Sequence, residues 1–338
     1  MDLNTVWFLL IGVLIIGYAI LDGFDFGVGV IHLFTKSESD KRTMMNAIGP
    51  VWDGNEVWLL TGGGALFAAF PIVYATVFSG FYIALVLLLA ALIFRAVSYE
   101  FRGKVESTSW RKFWDMAFGI GSLLPAVLFG VAFGNILRGI PIDNQGNFTG
   151  NFLGLLNPYS ILIGVLSLAL FIMHGANYMT NKSEGKLQER FEKLSSRFWI
   201  IVVVLYVAAT LFTMFEAGFL FNGVMKSPVF WVLFILLLVS ILYQPVAMKA
   251  KKYFMAFLSS SITIASMIGL AAVSLFPRLV PSNIDLNFSL TIYNSSSSER
   301  TLLTMLIIAL IGMPLVIIYT ILIYRVFKGK VIIGKESY

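Results

Sequence analysis

The 338-residue chain contains no cysteine. That excludes disulfides, iron–sulfur clusters and thiolate metal sites, while leaving the redox compartment open. Histidine is nearly absent too: two residues, His32 and His174, are a poor supply of axial ligands for a multi-heme protein. Charge is scarce. Only 12% of residues are Asp, Glu, Lys or Arg, about half the share in an average soluble domain. In its place 58% of residues are hydrophobic and the mean hydropathy is +0.86. Apolar runs recur along the whole chain, which implies an all-α polytopic membrane protein with one integral membrane domain over residues 1–338. An outer-membrane barrel would need strands of alternating polarity, and these runs are continuous. Residues 1–5 carry no Lys or Arg and no small-residue cleavage site, so the first segment reads as a retained helix rather than a signal peptide.

Nine spans are expected, near 6–33, 50–70, 76–99, 113–137, 158–180, 197–220, 229–248, 254–277 and 300–326. The second is diluted by Asp53, Asn55, Glu56 and the Gly62–Gly64 run, so it belongs inside protein rather than against lipid. The glycine run allows close backbone approach but lacks the Lys and strand context of a phosphate-binding loop. Lys and Arg segregate by connection, with 19 on one side, four on the other, and Arg95 left inside a span. The positive-inside rule then puts the N-terminus outside and the C-terminus in the cytoplasm. The net charge of +6 is thereby a matter of topology, with no nucleic-acid partner implied. Two long outer connections, 138–157 and 278–299, follow the fourth and eighth spans. They suggest two four-helix units (6–137 and 158–277) with a ninth, peripheral helix appended.

Against this apolar background four carboxylates stand out: Asp22 and Asp25, then Asp53 and Glu56. Ionisable groups at membrane depth are costly and usually belong to an ion or proton path. Residues three apart share a helix face, so each pair projects together. The topology puts both pairs near the cytoplasmic side of antiparallel neighbours joined by a connection at 34–49. Like charges so close cannot all stay ionised, and one carboxyl is expected to hold a proton. Arg95 is a candidate ion-pair partner, and Glu100 and Asp115 would extend the line toward water. The competing view is that such acids only glue helices together, or that Asp53 and Glu56 cap the second helix. His32 reads as a loop histidine, His174 as a packing histidine, Glu216 as interfacial, and Trp52 and Trp58 as packing aromatics.

These stretches resemble subunit II of the cytochrome bd-type quinol oxidases. The resemblance rests on LDGFDFGVG at 21–29 and GPVWDGNEVWLLTGGGALFAAFP at 49–71. It continues through IFRAVSYEFRGK at 93–104, FGNILRGIP at 133–141, GNFLGLLNPYSIL at 150–162 and FPRLVPS at 276–282. It implies a prokaryotic cytoplasmic-membrane complex that oxidises quinol and reduces oxygen in aerobic respiratory electron transport. It further implies that hemes b and d sit in a partner, subunit I, while this chain binds none directly and conducts protons from the cytoplasm. The family's proton-path carboxylates map onto Asp22, Asp25, Asp53, Glu100 and Asp115, with no catalytic residue or metal ligand in this chain. Some members carry a structural quinone here, so a quinone or lipid site and a small single-helix subunit are further expectations. Two positions depart from other members: Glu56, where some relatives have Gln, and Glu100, where others have Asp. The outer connection at 220–228 is also shorter than in the longest members. A secondary transporter using the buried acids for protons or cations is the alternative from a different class.

Overall fold

The computed structural model describes residues 2–334, so Lys335 of the basic tail lies outside the described residues. Its helices are α1 (Leu3–Leu33), α2 (Glu38–Ile48), α3 (Trp52–Ala69), α4 (Pro71–Gly80), α5 (Tyr82–Phe101), α6 (Thr108–Arg138), α7 (Pro158–Lys182), α8 (Gly185–Glu216), α9 (Pro228–Lys249), α10 (Tyr253–Leu275) and α11 (Glu299–Val326). Several begin where short polar side chains satisfy orphan amides: Asp2 accepts from Thr5 N, Ser37 from Asp40 N, Asn157 from Ser160 N and Ser298 from Thr301 N. Proline opens α4, α7 and α9 at positions where a missing N–H costs nothing.

Among the described residues, eight helices are long and apolar enough to cross a membrane: α1 and α5 to α11. The remaining expected crossing, α3, is a helix of 18 residues that falls short of that apolar character. It nevertheless runs antiparallel to α1. Asn55 bonds the Leu21 carbonyl, Trp58 lies against Gly17, Gly62 against Leu14, and Phe70 shares an apolar cluster with Trp7. At 1.5 Å per residue it extends about 27 Å.

Two local features differ from the sequence reading. The segment taken as a plain connection at 34–49 contains α2, whose Met44, Met45, Ala47 and Ile48 are buried. It is too short and too polar to register as a span, yet it is amphipathic enough to pack. The third span, expected at 76–99, is divided into α4 and α5 at Phe81, whose backbone leaves the helical region.

The packing centres on α1, which lies against α3, α6, α7 and α10. The closest approach is to α7, where Gly27 faces Gly175 and the Phe171 carbonyl; a Cβ at either glycine would overlap the facing backbone. The two long connections, 138–157 and 278–299, form one cap at the same end of the bundle. Strand β1 (Arg278–Val280) pairs antiparallel with β2 (Leu290–Thr291), and Ile140 bridges to Ser282. Thr76 of α4 donates to the Gly146 carbonyl at 2.7 Å. In that cap the backbone amides of Asn147 and Gln145 hold the Asp143 carboxyl below its usual range. Below the cap, Arg138 and Glu216 form an ion pair of 2.7 Å. The last helix is peripheral, with only Leu302 buried among its residues. It is tied by Trp7 Nε1 donating to the Leu302 carbonyl, by Tyr324 donating to Asn55, and by Lys330 donating to the Thr180 and Ser183 carbonyls at the end of α7.

The α1–α7 seam yields a direct expectation. Gly27→Val forces a branched side chain into facing backbone and should destabilise the fold by about 1–3 kcal/mol or more. A drop in the thermal unfolding midpoint of the purified protein, absent for Gly12→Val where α1 has open space, would verify it.

Candidate functional site

The middle of α1 is where side chains bring charge into the apolar interior. Asp22 and Asp25 are both buried, and so is Arg95, reaching in from α5. Arg95 Nη2 donates to Asp22 Oδ1 at 2.5 Å and to Glu56 Oε1 at 2.9 Å. Its guanidinium also lies 4.4 Å from the centre of the Phe26 ring. Asn55 Nδ2 donates to Asp25 Oδ2 at 2.8 Å, and Tyr324 of α11 donates in turn to Asn55 Oδ1 at 3.0 Å. Helical spacing explains the convergence, because Asn55 and Glu56 on α3 meet the face of α1 that carries residues 22 and 25. Trp52 stacks on Tyr99 beside this group, at 5.0 Å between ring centres. Arg95 Nε and Nη1 and Trp58 Nε1 are buried without a hydrogen-bond partner among the described residues. One guanidinium thus faces three carboxyls, and full ionisation would leave the cluster with two uncompensated negative charges.

A second charged group lies toward the α2 end of the same helix pair. Asp115 accepts from Arg102 Nε at 2.6 Å and from Lys41 Nζ at 2.7 Å. Arg102 Nη2 reaches both oxygens of Glu38 at 2.9 Å. His32 Nε2 stands 3.3 Å from Asp115 Oδ1, with the imidazole edge-on to Phe118. This corrects the reading of His32 as a loop residue: it sits in the last turn of α1 and is fully buried. The sequence signal was available, since His32 lies seven residues from Asp25 and therefore on the same helix face.

The expected site residues therefore divide. Asp22, Asp25, Glu56 and Arg95 form one cluster, and Asp115 anchors the other. Asp53 and Glu100 are exposed and join neither. Asp53 and Glu56 share a turn of α3, but α3 rotates so that Glu56 faces α5 while Asp53 faces outward. Sequence reasoning missed Asn55, Lys41, Arg102 and Glu38; none looked unusual alone, and folding supplies their partners. His174 behaves as a packing histidine. Its ring nitrogens meet Ser260 Oγ at 2.7 Å and the Ile20 carbonyl at 3.0 Å, and it stacks on Phe257. Both ring nitrogens of His174 are thus engaged. Among the described residues, no three acidic or histidine side chains converge as a metal-ligand set.

The Arg95 cluster can be probed by unbalancing it. Arg95→Gln strands the buried acids and should cost about 3–5 kcal/mol. Chemical denaturation should show that loss, and the double variant Arg95→Gln/Asp22→Asn should recover part of it.

The chain matches the family model described as cytochrome bd terminal oxidase subunit II over residues 3–327. It is 37% identical to the cytochrome bd-I ubiquinol oxidase subunit 2 of Escherichia coli strain K12, across 97% of this chain and 95% of that one. It is 39% identical to the cytochrome bd ubiquinol oxidase subunit 2 of Bacillus subtilis, across 98% and 97% respectively. In fold it is similar to a chain of the bd oxidase from Geobacillus thermodenitrificans, with a TM-score of 0.82 at 17% identity over 97% of this chain and 99% of that one. That last likeness concerns the fold alone. Because the sequence matches run nearly end to end, the chain belongs to the cytochrome bd terminal oxidase subunit II family.

Proposed function

We propose that this chain is the heme-free second subunit of a quinol:oxygen oxidoreductase in a prokaryotic cytoplasmic membrane, and that it conducts protons from the cytoplasm toward the oxygen-reducing hemes of subunit I. The observation that carries this reading is the set of three carboxyls, buried Asp22 and Asp25 with half-buried Glu56, held around one guanidinium. Such a set stores proton-accepting capacity inside an apolar bundle, where mere helix pairing would need only matched charges. When bound in the partner, hemes b and d supply the redox chemistry. Asp115, at the α2 end, stands where protons enter, and Asp22, Asp25 and Glu56 form the reservoir beyond it. Asp53 and Glu100, both exposed, serve at the borders with the partner or the water phase. The basic connections support an outer N-terminus and a cytoplasmic C-terminus, with α3 as the ninth crossing. Helices α1, α3, α5 and α6 then form one unit and α7 to α10 a second, with α11 appended.

The side of α3 turned away from α1 supports a position for the partner. Asp53, Val57, Leu60, Gly64 and Phe67 are all exposed and follow one another at intervals of four and three residues. That spacing makes a continuous helical seam of the kind that packs against another helix. An exposed carboxylate with an adjoining exposed Thr61 suits protein contact better than lipid. We assign this seam to subunit I. A transporter reading is less favoured, because Arg95 already occupies the acid cluster as a built-in cation.

Two experiments follow. Asp25→Asn in the assembled complex should lower oxygen consumption roughly tenfold or more while the heme spectrum stays intact; native turnover would defeat the proton-path reading. Gly64→Trp should reduce recovery of subunit I with this chain by affinity purification, with the chain itself still present in the membrane. Unchanged recovery would move the interface elsewhere.

A further inference from the structure

One buried acid on α1 is held by a chain of hydrogen bonds that begins on the peripheral helix. Asn55 Nδ2 donates to the Leu21 carbonyl at 3.1 Å and to Asp25 Oδ2 at 2.8 Å. Its Oδ1 accepts from the Tyr324 hydroxyl at 3.0 Å. Asn55 and Asp25 are both buried. The neighbours fix which way this amide points. Turned over, its oxygen would face the Leu21 carbonyl, which can only accept. In the observed orientation all three neighbours are satisfied, and Tyr324 pins the end remote from Asp25. The height of Tyr324 is set in turn at the end of α11, a helix that buries only Leu302 near its start. Lys182, at the end of α7, donates to the Phe327 carbonyl at 2.6 Å, and Lys330 donates to the Ser183 carbonyl at 2.7 Å. The ends of α7 and α11 are thus tied reciprocally, with Tyr324 about one turn inside the tie.

We propose that Tyr324 is a positioning residue for Asp25, acting through Asn55 so that the proton Asp25 holds sits on Oδ1. The inference rests on the proton-path reading above and adds to it the atom that is loaded. An O–H on Oδ2 would point at the Asn55 amide N–H, donor against donor. Oδ1 meets no such donor and has no hydrogen-bond partner among the described residues. The proton is thereby confined to Oδ1, while Oδ2 stays the carbonyl oxygen that accepts from Asn55. Asp22 lies within hydrogen-bonding reach of Asp25, and its Oδ2 is likewise buried without a partner among the described residues. A proton on Asp25 Oδ1 supplies the donor that this pair of carboxyls lacks. The other ionisable groups around Asp25 are Glu56 of α3, Arg95 and Tyr99 of α5, Tyr178 of α7 and Tyr324 itself. Arg95 Nη2 is committed to Asp22 and Glu56, so the bond to Asp25 Oδ2 is left to Asn55.

The test uses the assembled oxidase with heme content verified, comparing native enzyme with Asn55→Leu, Tyr324→Phe and Tyr319→Phe by infrared difference spectroscopy and by turnover. The carbonyl stretch of protonated Asp25 is the band that Asp25→Asn removes. With the proton on Oδ1, that carbonyl is Oδ2, and the bond from Asn55 lowers its frequency. Asn55→Leu should therefore move the band to higher frequency. Tyr324→Phe keeps the ring, loses only the hydroxyl, and should move the band less in the same direction. Tyr319→Phe, at an exposed position of the same helix, should leave it in place. Turnover of Tyr324→Phe should fall roughly threefold to tenfold, the range that one hydrogen bond sets, with the quinol KM unchanged. Loss of packing alone would not move the band. A band that stays in place in Asn55→Leu puts the proton on Oδ2 and overturns the proposal, as does the absence of any Asp25-dependent band. Tyr324→Phe with native band and turnover overturns it too. So does loss of heme in Tyr324→Phe alone, which would make Tyr324 a packing residue. If Asp25→Asn is slow while Tyr324→Phe is native, only the positioning role falls. If Asp25→Asn loses the band yet turns over normally, the path reading falls and the assignment to Oδ1 stands.

Discussion

Everything at the centre of this protein depends on one guanidinium held in an apolar bundle. Arg95 is fully buried, and the cost of burying its charge is offset because Asp22 and Glu56 bond it and the Phe26 ring lies against its face. Those three acceptors come from two further helices, so α1, α3 and α5 are registered against one another by charge rather than by shape. The requirement acts in both directions. Without the acids the arginine could not be buried, and without the arginine three carboxyls could not share one site.

Close packing and charge placement are coupled along α1. Its C-terminal half is buried almost residue by residue from Asp22 to His32, in contrast to the alternating exposure of its first half. Glycine makes this possible at two places. The Gly27–Gly175 contact draws α7 onto the backbone, and Gly29 admits a serine from α6. Water and lipid are thereby kept from the acid face. The buried aromatic rings of Phe24, Phe26 and Phe118 fill the space along the same stretch.

Much of this was legible in the sequence, because membrane proteins advertise their constraints. The sequence reading expected nine spans, and eight of them are matched by helices long and apolar enough to cross a membrane; the four acids are conspicuous against 12% total charge. Arg95 could be named as an ion-pair partner because a lone arginine inside a span has few other fates. What was not legible depended on rotation and on local breaks. Helical spacing put Asp53 and Glu56 on one face, projecting together, but the packing of α3 turns Glu56 inward and leaves Asp53 outward. The short α2 lacks the length that marks a span, so Glu38 and Lys41 gave no hint of reaching Arg102 and Asp115. His32 was misread because it sits at the very end of the expected 6–33 span, where a loop would ordinarily begin; the salt-bridged group on α2, α5 and α6 instead closes over it.

The unusual composition of α3 follows from carrying polar groups on two sides. Its inner side brings Asn55 and Glu56 to the acids, and its outer side carries Asp53 and Thr61 among the exposed Val57, Leu60 and Phe67. A helix with polar groups on one side only would read as an ordinary span. Within the chain α1 covers the first face, and the peripheral α11 covers an edge through Tyr324 and Asn55. The remaining seam stays open in the isolated chain. The low hydropathy that made this segment the weakest span in the sequence is thus a consequence of polar groups placed on both sides of one helix.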